Sequence, residues 1–135
     1  MKSKVTFKEQ MHFTGELDGH EIPIDAAEQF GGQDKGPKPK GLMLTALAGC
    51  TAMDVISILR KMRVEPDDFS VEAEANVSDE HPMVFTKIKL TYRLIGKDLP
   101  RDKVEKAVQL SQERYCGVSA MLQKVAPVEY EIIIG

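Results

Sequence analysis

The sequence predicts an α+β domain on three observations. Phe69 to Val77 and Met83 to Ile95 alternate apolar with polar residues, as strands with one wet face do. Gly41 to Arg63 and Arg101 to Lys124 carry apolar residues at helical spacing instead. In chain order the segments read β-β-α-β-β-α-β, which sets helices against antiparallel sheet.

The first two strands are Val5 to Phe13 and Glu16 to Ile24. Near their junction Asp18-Gly19 is the dipeptide that a type I′ hairpin turn prefers. The Gly/Pro-rich stretch Phe30 to Gly41 follows as a loop, its glycines reading as conformational punctuation. In the helix Gly41 to Arg63, Leu44, Leu47, Met53, Val55, Ile58 and Leu59 cover most of the circumference, so it is expected to be covered on most sides. Arg60, Lys61 and Arg63 suit its C-terminus, and Pro66 prevents its resumption. The two alternating strands come next, separated by the turn-like Ser78 to Pro82. Pro100 opens the second helix, and Pro127 precedes a last strand, Val128 to Ile134.

Composition narrows the function. The chain has 135 residues, 42% hydrophobic and 29% charged, enough for one domain spanning 1–135 with a core that needs neither disulfide nor metal. A net charge of −3 supplies no field that would draw it to nucleic acid or an anionic membrane. Gly41 to Leu59 is apolar enough to suggest a membrane span, yet it contains Thr45, Cys50, Thr51, Asp54 and Ser57 and reads as a buried core helix. The first twenty residues lack the apolar run of a signal peptide, so the expected compartment is the cytoplasm, where two cysteines stay reduced or redox-active.

Cys50 and Cys116 each stand alone on their own predicted helix, outside any Cys-x-x-Cys pair. Ala46, Ala48, Gly49 and Ala52 surround the first; Gly117, Ser119 and Ala120 follow the second. Small neighbours let helices approach closely enough for a bridge, and they equally suit two inert thiols where helices merely pack. His12, His20 and His81 lack ligand spacing, so no metal site is expected. No phosphate-binding or dinucleotide-binding glycine motif implies a cofactor.

The stretch GPKPKGLMLTALAGCTAMDVISILRKMRV, followed after two strands by ERYCGVSAML, resembles the OsmC/Ohr family of small bacterial redox proteins. The resemblance runs from the Gly/Pro-rich loop to the last strand. It implies an intertwined homodimer in which two central cysteine-bearing helices are wrapped by sheets from both subunits. For the peroxidase members it also implies thiol-dependent reduction of organic hydroperoxides in oxidative stress defence. Carried over, Cys50 is the peroxidatic nucleophile, Cys116 resolves its sulfenic acid to a disulfide, and a dithiol reductant restores both thiols.

Two departures concern activation. Peroxidase members carry an Arg near the N-terminal strands and a Glu at the start of the cysteine helix. Here no Arg precedes Arg60, and the corresponding stretch reads Pro39-Lys40-Gly41-Leu42. A thiol of pKa about 8.5 is only about 3% ionised at pH 7, and lowering it to about 6 raises the thiolate roughly 30-fold. Lys38 and Lys40 are the cations available before the helix, or else solvated loop charges. Asp54 and Glu113 have the sign that raises a neighbouring thiol pKa; each is read as a surface or interface charge or as a proton donor to the leaving alkoxide. The rival expectation is an OsmC-fold redox sensor or apolar-ligand-binding protein with little peroxidase activity.

Overall fold

The computed structural model describes all residues, Met1–Gly135. The chain divides into two compact units, Met1–Met43 and Leu44–Gly135.

In the first unit, strands β1 (Ser3–Glu9), β2 (His12–Leu17) and β3 (His20–Ile24) form an antiparallel meander in that order. The expected single strand Val5 to Phe13 is therefore two. The polar run Lys8 to Gln10 interrupts the apolar alternation, and Gln10 takes a left-handed φ of 50° that turns the chain. The pair Phe7 and Phe13 closes this extra hairpin, edge to face at 5.4 Å. At the next turn Asp18 and Gly19 both have positive φ, 51° and 78°, as a type I′ turn requires.

The Gly/Pro-rich loop is organised on a buried carboxylate. Asp25 accepts from the backbone N–H groups of Ala26, Gln33 and Lys35 at 2.8, 3.0 and 3.1 Å. The Gln33 bond above all holds its pKa below the usual aspartate value. Gly32 is required by close approach, since a Cβ there would lie 1.7 Å from the Ala26 carbonyl oxygen.

Helix α1 (Pro39–Lys61) begins on a proline, suited to the first helical position, and runs from the first unit into the second. Its C-terminus is a Schellman motif. Arg63 is left-handed at φ 61°, and the N–H groups of Arg63 and Val64 return to the carbonyls of Arg60 and Leu59. Of this helix only Leu47, Thr51, Val55 and Leu59 are buried, one stripe at intervals of one turn. Met43 and Met53 are exposed, so within one chain the helix is not covered on most sides as its composition suggested.

The second unit holds β4 (Asp68–Val77), β5 (Phe85–Ile95) and β6 (Val128–Ile134) with β5 in the middle. The predicted inward face of β5, Ile88, Leu90, Tyr92 and Leu94, is fully buried. β4 and β5 are antiparallel, but β5 and β6 are parallel, so the sheet is mixed rather than antiparallel throughout. The helical crossover between β5 and β6 makes parallel pairing possible.

That crossover departs most from the sequence reading. A continuous helix from Arg101 to Lys124 is expected; instead α2 (Arg101–Leu110) widens into a π-helical turn at Ser111–Tyr115, breaks at Cys116, and resumes as α3 (Gly117–Leu122). The Cys116 N–H reaches back five residues to the Ser111 carbonyl at 2.8 Å, while Cys116 itself is extended at φ −75°, ψ 100°. Cys116 therefore caps a helix instead of lying inside one. The side chains of Ser111 and Gln112, drawn toward α1 and β5, are the physical reason.

Candidate functional site

Three elements of the second unit meet around the cysteines. α1 supplies Cys50 and, four residues later on the same face, Asp54. The break between the π-helical turn and α3 supplies Cys116. The two Sγ atoms and a carboxylate oxygen of Asp54 all lie within 4.8 Å of one another. Both cysteines are free thiols, Cys50 half-buried and Cys116 buried at 3% exposure.

Cys116 accepts the backbone N–H of Ser119 at 3.3 Å. That bond favours a thiolate, but burial outweighs it, and the neighbouring Cys50 and Asp54 add to the burial effect. The Cys116 thiol is pushed up to about 11.

A buried polar network lies behind the thiols. Thr51 Oγ1 is 2.7 Å from both Tyr92 Oη and Ser111 Oγ, and Ser111 Oγ donates to Asp54 Oδ2 at 3.0 Å. Gln112 Nε2 donates to Thr51 Oγ1 and Tyr92 Oη at 3.1 and 3.0 Å. Gln112 Oε1 accepts from Ser119 Oγ at 2.7 Å. Desolvation pushes Tyr92 up to about 12, so it stays a phenol and a donor. No buried side-chain nitrogen or oxygen lacks a partner.

The remaining expected residues lie elsewhere. Glu113 is exposed and accepts from Gln109, and it takes no part in the cluster with Asp54. Lys38 and Lys40 are exposed residues of the first unit, and Lys38 lines a hollow of about 490 Å³ framed by the loop Ala26 to Lys38. Beside Asp54 a second hollow of about 430 Å³ is lined by Ser57, Ile58, Lys61, Leu110 and Tyr115.

Sequence reasoning missed Thr51, Tyr92, Ser111, Gln112 and Ser119. A signal was present for two of them. Thr51 sits one turn from Leu47 and from Val55, and Tyr92 alternates with Leu90 and Leu94, so both polar groups face a core where each needs a partner.

The family described as OsmC-like protein matches residues 32–131, a span that includes both cysteines and the whole network behind them. The chain belongs to the OsmC-like family. Protein YhfA of Escherichia coli K12 is 38% identical to it over 98% of each chain. A solved structure from Aquifex aeolicus VF5 superposes with a TM-score of 0.84 at 26% identity, covering 99% of this chain and 96% of that one. The organic hydroperoxide resistance protein OhrB of Bacillus subtilis shares the fold at a TM-score of 0.66 and 22% identity, over 98% of each chain. The OsmC-like fold thus extends over both units and to relatives of low identity.

Proposed function

We propose that this OsmC-like protein is a two-cysteine, thiol-dependent reductase of organic hydroperoxides, a single domain acting in the cytoplasm as a homodimer. The observation that carries the reading is the approach of Cys50 Sγ and Cys116 Sγ within 4.8 Å while both are reduced. A disulfide needs little further movement from there. The difference in burial supports the order in which half-buried Cys50 meets the peroxide and buried Cys116 waits.

In the first step the Cys50 thiolate attacks the distal peroxide oxygen. The O–O bond breaks, the alkoxide takes a proton and leaves as the alcohol, and Cys50 becomes a sulfenic acid. In the second step Cys116 sulfur displaces hydroxide from that sulfenic acid. The Cys116 proton joins the hydroxide as water, and Asp54 is the carboxylate near enough to relay it. An external dithiol then reduces the disulfide to two thiols and is itself oxidised to a disulfide. No nucleic acid, membrane or organic cofactor enters this cycle. The second copy of the chain covers the faces of α1 on which Met43 and Met53 stand exposed.

The test is intact mass with a thiol count, followed over seconds after one equivalent of cumene hydroperoxide or of hydrogen peroxide. The expected result is loss of two hydrogens with both thiols consumed, faster for the organic peroxide. Cys50→Ser abolishes peroxide consumption, and Cys116→Ser accumulates sulfenic acid. Unchanged turnover in Cys50→Ser would sink the reading.

One observation favours a second reading. Asp54 works against ionisation of Cys116, as suits a redox sensor or apolar-ligand protein that reacts slowly. A rise in melting temperature with lipid-like ligands, alongside no peroxide consumption over many minutes, would select it.

A further inference from the structure

We propose that Cys50, Asp54 and Cys116 form a three-ligand site for a thiophilic divalent cation of the zinc class. Their two sulfurs and one carboxylate oxygen lie within 4.8 Å of one another. Around a tetrahedral zinc, with bonds of about 2.3 Å to sulfur and about 2.1 Å to oxygen, neighbouring ligand atoms stand roughly 3.5–3.8 Å apart. Closing the triangle onto a cation asks for roughly 1.0–1.3 Å of contraction at most, within reach of side-chain adjustment.

The placement of the ligands has the features of a metal site. Cys50 and Asp54 are four residues apart on α1, the helical spacing that sets two ligands on one face. Outer contacts already aim two of the three. Ser111 Oγ holds Asp54 Oδ2 at 3.0 Å, and the Ser119 N–H holds Cys116 Sγ at 3.3 Å. A fourth position stays open, because Cys50 is only half-buried and Asp54 also lines the hollow of about 430 Å³. Asp54 takes part in none of the ion pairs of the chain, although Lys61 lines the same hollow, so no salt bridge competes with a dication for its carboxylate.

Binding replaces two thiol protons, which pass to solvent, by two metal–sulfur bonds, with no change of oxidation state. While the cation is bound the sulfurs cannot join to each other. It therefore acts as a reversible block on oxidation of the pair. The thiols are those of the proposed peroxidase, but the cation is bound by reduced protein without any peroxide, so the two readings fail separately.

The experiment titrates the reduced, full-length chain anaerobically with cobalt(II) as spectroscopic probe. Saturation at one cobalt per chain is expected, with thiolate-to-cobalt charge-transfer bands in the near ultraviolet and visible bands of tetrahedral intensity. Cys50→Ser and Cys116→Ser each remove about half of the charge-transfer intensity. Asp54→Asn keeps that intensity but weakens binding by roughly tenfold or more. Because a cysteine variant can fail to fold, wild-type protein is also alkylated with and without one equivalent of zinc(II), which slows modification of both thiols at least about tenfold. Absence of charge-transfer bands at stoichiometric cobalt overturns the proposal. So does Asp54→Asn binding as tightly as wild type, since a bare dithiol would then account for the metal.

Discussion

Ser111 Oγ donates its hydrogen bond to Asp54 Oδ2 at 3.0 Å, and this single contact fixes the direction of the Ser111, Thr51 and Tyr92 hydroxyls behind the thiols. Ser111 has one proton, so in its 2.7 Å contact with Thr51 the threonine must donate. Thr51 in turn has none left for Tyr92, and Tyr92 donates to Thr51 across 2.7 Å. The two N–H bonds of Gln112 then fill the remaining acceptor sites on Thr51 and Tyr92. The chain of donors runs one way, from β5 through α1 to the π-helical turn, and ends on the carboxylate beside the cysteines.

Thr51→Val tests this ordering. Valine keeps the volume of threonine but strands the Tyr92 hydroxyl and one N–H of Gln112, both in fully or nearly fully buried positions. At about 1–3 kcal/mol for each stranded donor, urea denaturation is expected to register a loss of roughly 2–6 kcal/mol. Tyr92→Phe removes a donor together with its bonds and costs less, about 1–2 kcal/mol. A Thr51→Val protein as stable as wild type would contradict the one-way network.

The strands of the second unit, the turn at Asp18-Gly19 and the C-terminal end of α1 were legible because their signals are local: alternation along β5, a turn dipeptide, cations and Pro66 after the helix. The extra hairpin at Gln10 and the start of α1 at Pro39, two residues early, were not. The break at Cys116 was not. No proline interrupts Arg101 to Lys124, and the helix opens because Ser111 and Gln112 bond to Thr51 and Tyr92, partners distant in sequence. Parallel pairing of β5 with β6 is likewise a product of that crossover, which composition does not encode. At the site, the cysteines stood out as residue types and Asp54 by its spacing from Cys50. The polar groups behind them are ordinary residues until the fold brings them together.

Cys116 reactivity should climb steeply with pH. Burial, with Cys50 and Asp54 adding to it, raises this thiol from 9.0 to about 11. Below that value the thiolate fraction grows tenfold per pH unit. Peptide-resolved alkylation at Cys116 is therefore expected to accelerate about 100-fold between pH 7 and 9 without levelling off. A plateau near pH 8.5, as for an unperturbed thiol, would refute the burial argument.

Asp25 makes the Gly/Pro-rich loop sensitive to acid. Its folded pKa lies below 3.8, chiefly through the Gln33 N–H bond, so the carboxylate favours the folded loop at any pH above the unfolded value. That contribution disappears as pH falls through the folded value. Amide exchange at Gln33 and Lys35 should stay slow at pH 5 and quicken below about pH 4. Asp25→Asn should show fast exchange already at pH 5, because an amide oxygen without charge binds the three N–H groups more weakly. Equal protection in the variant would remove Asp25 from its place as organiser of the loop.

Asp54→Asn separates the charge of this residue from its shape. Asparagine can still accept from Ser111 through its carbonyl oxygen, so the donor chain and the fold are expected to persist, with a loss of no more than about 1 kcal/mol. What changes is the field at Cys116, where Asp54 is one of the groups that disfavour the thiolate. Removing it lowers the Cys116 pKa while burial, the larger cause, still holds it above the ordinary range. Alkylation of Cys116 at pH 8 should therefore run measurably faster in the variant than in wild type. The discriminating feature is the packing: a carboxylate that only propped the structure would, on removal, loosen the surroundings of both cysteines and change the near-ultraviolet circular dichroism. Faster alkylation at Cys116 with an unchanged near-ultraviolet spectrum is the outcome that a direct electrostatic role requires.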